Sequence, residues 1–148
     1  RCQERKDLIS PDAQSKGRIL VDTDVVSYVF NGHTQAEFFK PHLLNRSLAV
    51  SFMTVAQLYY GAYHAGWGNS KIIRLENHLK NYVVLPYDYE LCIRWARVKQ
   101  EAENQKLPME QGDCWIAASA LRHDCALATN NGRHFRHVNG LALISPGL

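Results

Sequence analysis

Four polar side chains stand where short apolar runs give way to helices. Asp22 follows Ile19-Leu20-Val21, Gln57 lies on the helix expected after Leu48–Phe52, Asp113 precedes the apolar stretch Cys114–Leu121, and Asn131 follows Ala126–Thr129. Two carboxylates and two amides offer hard oxygen donors, the kind that suit a divalent cation. The same residues also have ordinary structural uses. Asp22, Thr23, Asp24 and Asp113 suit helix N-caps, and Asn130-Asn131-Gly132 suits a turn. Beside Asn131, Arg133, His134, Arg136 and His137 form a basic cluster, fit either for a solvated loop or for phosphate contacts next to a cleft.

The elements that must position these groups can be read from apolar spacing. Continuous apolar runs predict buried strands at Ile19–Val21, Leu48–Phe52, Tyr82–Leu85, Ala126–Thr129 and Leu141–Ile144. Helices are predicted between them. A short one covers Val25–Phe30 and stops near Asn31-Gly32; the next spans Gln35–Asn45 and is expected to kink or restart at Pro41. Thr54 is the expected cap of a helix with Val55, Leu58, Tyr59, Ala62 and Tyr63 on one stripe, ended by Gly66 and Gly68. Gln57 lies about 200° around that helix from Val55, so it faces solvent or a cleft and not the core. Further helices are expected over Asn69–Asn81 and after the cap Asp88, and Asp113 is expected to open a helix that is apolar nearly all round.

Strands alternating with helices, and apolar along their whole length, mean an α/β fold with a parallel sheet covered on both faces. Ligands in such folds bind beyond the carboxyl ends of the strands, where strand order reverses. That is where Asp22, Gln57, Asp113 and Asn131 fall.

Composition narrows the function classes. The 148 residues suit one domain, with 46% apolar and 21% charged residues. Residues 1–17 read as a polar, flexible leader, and residues 18–148 as the folded unit. A net charge of +3 permits an anionic partner without the charge density of a nonspecific nucleic-acid coat protein. No apolar run is long enough to span a membrane, and the first residues carry no apolar signal segment, so a cytoplasmic protein is expected. The cysteines at 2, 92, 114 and 125 lack the close spacing of zinc ligands and are expected as free thiols in a reducing compartment. No glycine lies between Asp22 and Ser27, which argues against a dinucleotide or Walker-type site. Neither a Gly-x-Ser-x-Gly elbow nor a His-x-x-x-His pair occurs, so other αβ-enzyme chemistries find little support.

Four blocks together carry a resemblance. Val21-Asp22-Thr23-Asp24-Val25-Val26-Ser27, Thr54-Val55-Ala56-Gln57-Leu58, Gly112-Asp113-Cys114-Trp115-Ile116-Ala117-Ala118 and Ala128-Thr129-Asn130-Asn131-Gly132-Arg133-His134-Phe135 occur in that order, followed by Val138-Asn139-Gly140-Leu141. From Ile19 to Ile144 the chain resembles the PIN domain, and within it the VapC toxin branch. The resemblance implies a three-layer α/β/α domain with a five-stranded parallel sheet and a Mg²⁺- or Mn²⁺-dependent endoribonuclease. Residue by residue, Asp22 matches the first acidic position and Asp113 the third, and both would hold the metal. Gln57 stands where the family has Glu, and Asn131 where it has Asp or Asn. Thr23, Thr129, Arg133 and Arg136, with His134, would contact RNA.

Gln57 departs from the pattern: an amide brings no charge and cannot act as a base, so metal affinity and rate should both fall. Asp24 and Glu110 are near in sequence and could compensate. The alternative is a catalytically silent PIN fold that binds RNA or protein. The branch also implies a homodimer and an antitoxin partner, with Tyr59, Tyr60, Tyr63 and Trp67 as interface candidates.

Overall fold

The computed structural model describes residues 17–147. Strand β1 (Arg18–Val21) leads into helices α1 (Thr23–Asn31) and α2 (Ala36–Leu43). Strand β2 (Ser47–Ser51) is followed by α3 (Phe52–His64) and α4 (Asn69–Leu79), and β3 (Val83–Leu85) by α5 (Tyr89–Asn104) and α6 (Gln111–Arg122). Then come β4 (Ala126–Ala128), the short α7 (Gly132–Phe135) and β5 (Leu143–Ile144). The five strands form one parallel sheet in the order β3-β2-β1-β4-β5.

Alternation along β1 divides the core in two. Ile19 and Val21 point to one face and pack with Val25, Phe39 and Leu75 of α1, α2 and α4. Leu20 points to the other face and packs with Val98, Ile116 and Phe135 of α5, α6 and α7. All three β1 residues are fully buried, as central strands covered on both sides require. The three-layer α/β/α architecture and the five parallel strands are as the sequence predicts.

Strand order reverses at β1, which pairs with β2 on one side and β4 on the other. The β1–β4 ladder runs one residue past the strands: the Asp22 N–H donates to the Ala128 carbonyl at 2.9 Å. The carboxyl ends of β1 and β4 therefore open side by side at the switch point of the sheet.

Several local expectations are corrected. Strand β2 ends at Ser51, and Ser51, not Thr54, caps α3, its hydroxyl accepting from the Met53 N–H. Thr54 is fully buried inside the helix. Pro41 neither breaks nor restarts α2, which runs through it and ends two residues later. A short, solvent-facing helix loses little from one missing donor near its end. Asp113 does not open α6; it is the third residue of a helix that starts at Gln111 without a side-chain cap. Tyr63 shares the apolar stripe of α3 yet is 67% exposed, whereas its neighbour Ala62 is the residue of the last turn that enters the core. Asp88 does cap α5, accepting from the Leu91 N–H at 2.8 Å. Cys92, Cys114 and Cys125 are free thiols; Cys2 and the proposed leader, Gly17 apart, lie outside the described residues.

Candidate active site

Asp22 terminates β1 and is also the N-cap of α1, so its position is fixed from both sides. Its carboxylate accepts from the Thr23 N–H at 2.8 Å and from the Thr129 hydroxyl at 2.7 Å. Thr129, the residue after β4, is fully buried. Its hydroxyl donates to Asp22 and clamps that carboxylate, and the same oxygen in turn accepts from the Asn131 N–H at 3.0 Å.

Asp24 is the carboxylate that the sequence offers only as a helix cap or a compensating charge. From the first turn of α1 it turns back to β4, accepting from the Asn130 N–H at 3.1 Å and from Asn131 Nδ2 at 3.3 Å. Asn131 thus reaches the site by orienting Asp24. The signal was the Asp-Thr-Asp spacing at a strand end, which reads equally well as a cap sequence.

Gln57 lies on α3, on the side away from the core, as its helical angle predicts. Its Oε1 accepts from the Thr23 hydroxyl, which also lies 3.0 Å from the Thr54 hydroxyl. Thr23 lines the cleft, but its polar atoms are engaged with Asp22, Gln57 and Thr54. Asp113 enters from α6, and His134 Nδ1 stands 3.5 Å from its Oδ2.

Asp22, Thr23, Asp24, Gln57, Asp113 and Asn131 all line one cleft of about 480 Å³, which also reaches Trp67. A second cavity of about 410 Å³ shares Asp113 and is lined by Lys106, Glu110, Arg133, His134 and Arg136. The structure thus brings the four polar candidates together and sets the basic cluster next to them, in an adjoining groove. Glu110 faces that groove and not the cleft with Asp22.

The electrostatics are those of crowded anions. Burial, with Asp24 adding repulsion, pushes the Asp22 carboxyl up to about 7, against the lowering effect of its hydrogen bonds to Thr129 and Thr23. Burial raises Asp24 and Asp113 as well, and His134 partly offsets the rise at Asp113. Neither Asp22 nor Asp24 is paired with a Lys or Arg among the described residues. Such a group of carboxylates favours a cation. Yet among the described residues no three His, Cys, Asp or Glu side chains are grouped so that they could hold a metal ion by themselves.

The PIN domain family profile matches residues 19–141. The chain belongs to the PIN domain family. Among curated relatives it is similar to ribonuclease VapC2 of Haemophilus influenzae, 28% identical across 84% of this chain and 94% of that protein. It is also similar to the tRNA(fMet)-specific endonuclease VapC of Shigella flexneri, 23% identical across 84% of this chain and 94% of that one. Two solved structures share the fold. VapBC2 from Rickettsia felis, bound to a DNA fragment from its promoter, superposes with a TM-score of 0.78 at 22% identity, covering 86% of this chain and 98% of that chain. VapBC-1 from nontypeable Haemophilus influenzae superposes with a TM-score of 0.75 at 25% identity, covering 86% and 97%.

Proposed function

We propose that this chain is a metal-dependent endoribonuclease of the VapC toxin type, hydrolysing RNA phosphodiester bonds with Mg²⁺ or Mn²⁺. The observation that carries the reading is the convergence of Asp22, Asp24 and Asp113 in one cleft at the switch point of the sheet. Asp22 and Asp113 would hold the cation, and Asp24 adds a third negative charge. A cation there would activate water as a nucleophile and polarise the phosphoryl oxygen.

The chain's own residues do the rest. Thr129 and the Thr23 N–H lock the Asp22 carboxylate in one orientation, so no reorganisation is needed when charge arrives. Asn131 and the Asn130 N–H do the same for Asp24. Arg133 and Arg136, with Lys106, line a groove that meets the acidic cleft at Asp113, where a phosphodiester backbone can lie across both. Gln57 leaves one position of the site uncharged, so metal affinity and rate fall below those of a site with Glu there. Incubation with RNA and Mn²⁺, beside Asp22→Asn and Asp113→Asn, tests the reading. Cleavage by the parent alone is expected; cleavage that survives both substitutions belongs to a contaminant and ends the proposal.

The silent-module reading draws on Gln57, whose Oε1 is already engaged by Thr23. Gln57→Glu separates the two: metal-dependent cleavage appearing only in that variant means that the amide alone blocked a competent scaffold. An antitoxin partner and a homodimer complete the proposal. Tyr60 and Tyr63 stand exposed on α3 as interface candidates, whereas Tyr59 is half-buried and Trp67 stacks on Phe30. A cytoplasmic location accords with such a toxin, and no described helix is long and apolar enough to cross a membrane.

A further inference from the structure

We infer that Gln57 serves as a neutral hydrogen-bond donor to a phosphate oxygen of the bound nucleic acid, and not as an oxygen ligand for the cation. The inference rests on the nuclease reading above and assigns one residue of the same cleft.

The geometry begins with a chain of hydroxyls. Thr23 Oγ1 lies within hydrogen-bond distance of both Thr54 Oγ1 and Gln57 Oε1. A hydroxyl carries one proton, and the Gln57 oxygen can only accept. Thr23 therefore donates to Gln57, and Thr54 donates to Thr23. Thr54 is fully buried, so the chain is anchored at its far end. The amide oxygen is committed, and the orientation of the whole amide follows from it.

Nε2 then lies on the opposite side, against the first turn of α6. A Cβ added at Gly112 would stand 2.5 Å from Nε2, so position 112 admits no side chain while the amide keeps its place. Nε2 carries two N–H groups, and neither meets an acceptor among the described residues. An uncommitted donor beside three carboxylates has an evident use. The cation neutralises the acids, and the phosphodiester that follows it needs donors on its remaining oxygens. A Glu at this position would repel that phosphate; the amide attracts it.

Three full-length variants test the assignment: Gln57→Leu removes the amide, Gly112→Ala keeps it but displaces it, and Gln57→Glu keeps the Thr23 contact but removes the donor. Gly112→Ala places a better helix former in the first turn of α6, so the fold is retained; thermal unfolding verifies this for each. The probes are a fluorescein-labelled RNA oligonucleotide with saturating Ca²⁺ in place of the catalytic cation, read by anisotropy, and Mn²⁺ alone, read by electron paramagnetic resonance. The Leu and Ala variants are each expected to weaken oligonucleotide binding by about tenfold, the loss of one hydrogen bond to a charged group. Gln57→Leu combined with Gly112→Ala should lose no more than either alone. Mn²⁺ affinity should stay within about twofold in both. Gln57→Glu should weaken the oligonucleotide and tighten Mn²⁺.

Unchanged oligonucleotide affinity in Gln57→Leu overturns the assignment, as does a tenfold loss of Mn²⁺ affinity, which would make Gln57 a cation ligand. A parent chain that fails to bind the oligonucleotide overturns it too. A parent that binds the oligonucleotide, loses that binding in the variants as described, and never cleaves with Mn²⁺ ends the nuclease reading but leaves Gln57 as a phosphate donor.

Discussion

In the acidic cleft, Asp22 accepts hydrogen bonds from Thr129, just after β4, and from the Thr23 N–H of α1, and Asp24 is tied to the residues that follow. In the basic groove that shares Asp113, Arg133 and Arg136 stand exposed on or beside a four-residue helix, and His134 is 59% exposed. One region places its charges at the ends of buried strands; the other carries them on a solvated surface. The contrast fits two tasks. Holding a cation and a developing charge rewards fixed dipoles. Following a flexible phosphate backbone rewards mobile cations that give affinity without fixed geometry.

The largest expected effect lies in the fixed region. Asp22→Asn should lower Mn²⁺-dependent RNA cleavage on the order of 100-fold or more, since several kcal/mol of transition-state stabilisation pass through that cation. The same substitution should raise the melting temperature of the metal-free protein, because it removes a buried anion that Asp24 repels. A variant that loses activity and stability together would show that Asp22 serves the fold.

Thr129→Val comes next. It deletes the clamp on Asp22 and strips the Asn131 N–H of its acceptor. Stability should fall by about 1–3 kcal/mol in chemical denaturation, and cleavage should fall by about tenfold, less than for Asp22→Asn. Full activity would mean that Asp22 needs no clamp.

The pH dependence of stability follows in size. The Asp22 carboxyl titrates near 7 in the folded protein and near 3.8 in the unfolded chain. Between those values the folded state keeps a proton that the unfolded state has released. Asp22 therefore makes the metal-free protein less stable as pH rises from about 4 through 7, and the loss levels off above. Melting temperatures across that range should show the decline in the parent and a shallower one in Asp22→Asn. Identical profiles would place the Asp22 anion in a better-solvated site than the structure shows.

The smallest effects belong to the groove. Arg133→Ala and Arg136→Ala should each raise KM severalfold with kcat little changed. Each should also reduce the salt dependence of RNA binding by about one counterion. A large loss in kcat would place an arginine at the reacting phosphate and erase the contrast between the regions.

The sequence was legible where one structural rule dominated. Apolar runs located the five strands, and the rule that ligands sit beyond strand ends picked out Asp22, Gln57, Asp113 and Asn131. Legibility failed where a residue type had two uses. Asp24 was read as part of a cap because Asp and Thr at a strand–helix junction normally are, yet its side chain turns back to β4. Thr129 reads both as the end of a buried strand and as an RNA contact; in the structure it is buried, its N–H donating to the Ile144 carbonyl and its hydroxyl to Asp22. Thr54 looked like a cap because a strand running to Phe52 left no earlier candidate; with β2 ending at Ser51, Thr54 was freed to hold Thr23. Such pairings span 31 to 107 residues, and no local pattern encodes them.

The central claim is that Asp22 and Asp113, 91 positions apart in the chain, serve one cation. Titration of the metal-free protein with Mn²⁺, followed by electron paramagnetic resonance, tests it without RNA or turnover. One site is expected in the parent, and Asp22→Asn and Asp113→Asn should each abolish it or weaken it by tenfold or more. If either variant binds Mn²⁺ as the parent does, the two carboxylates do not share a cation and the account of the site is wrong.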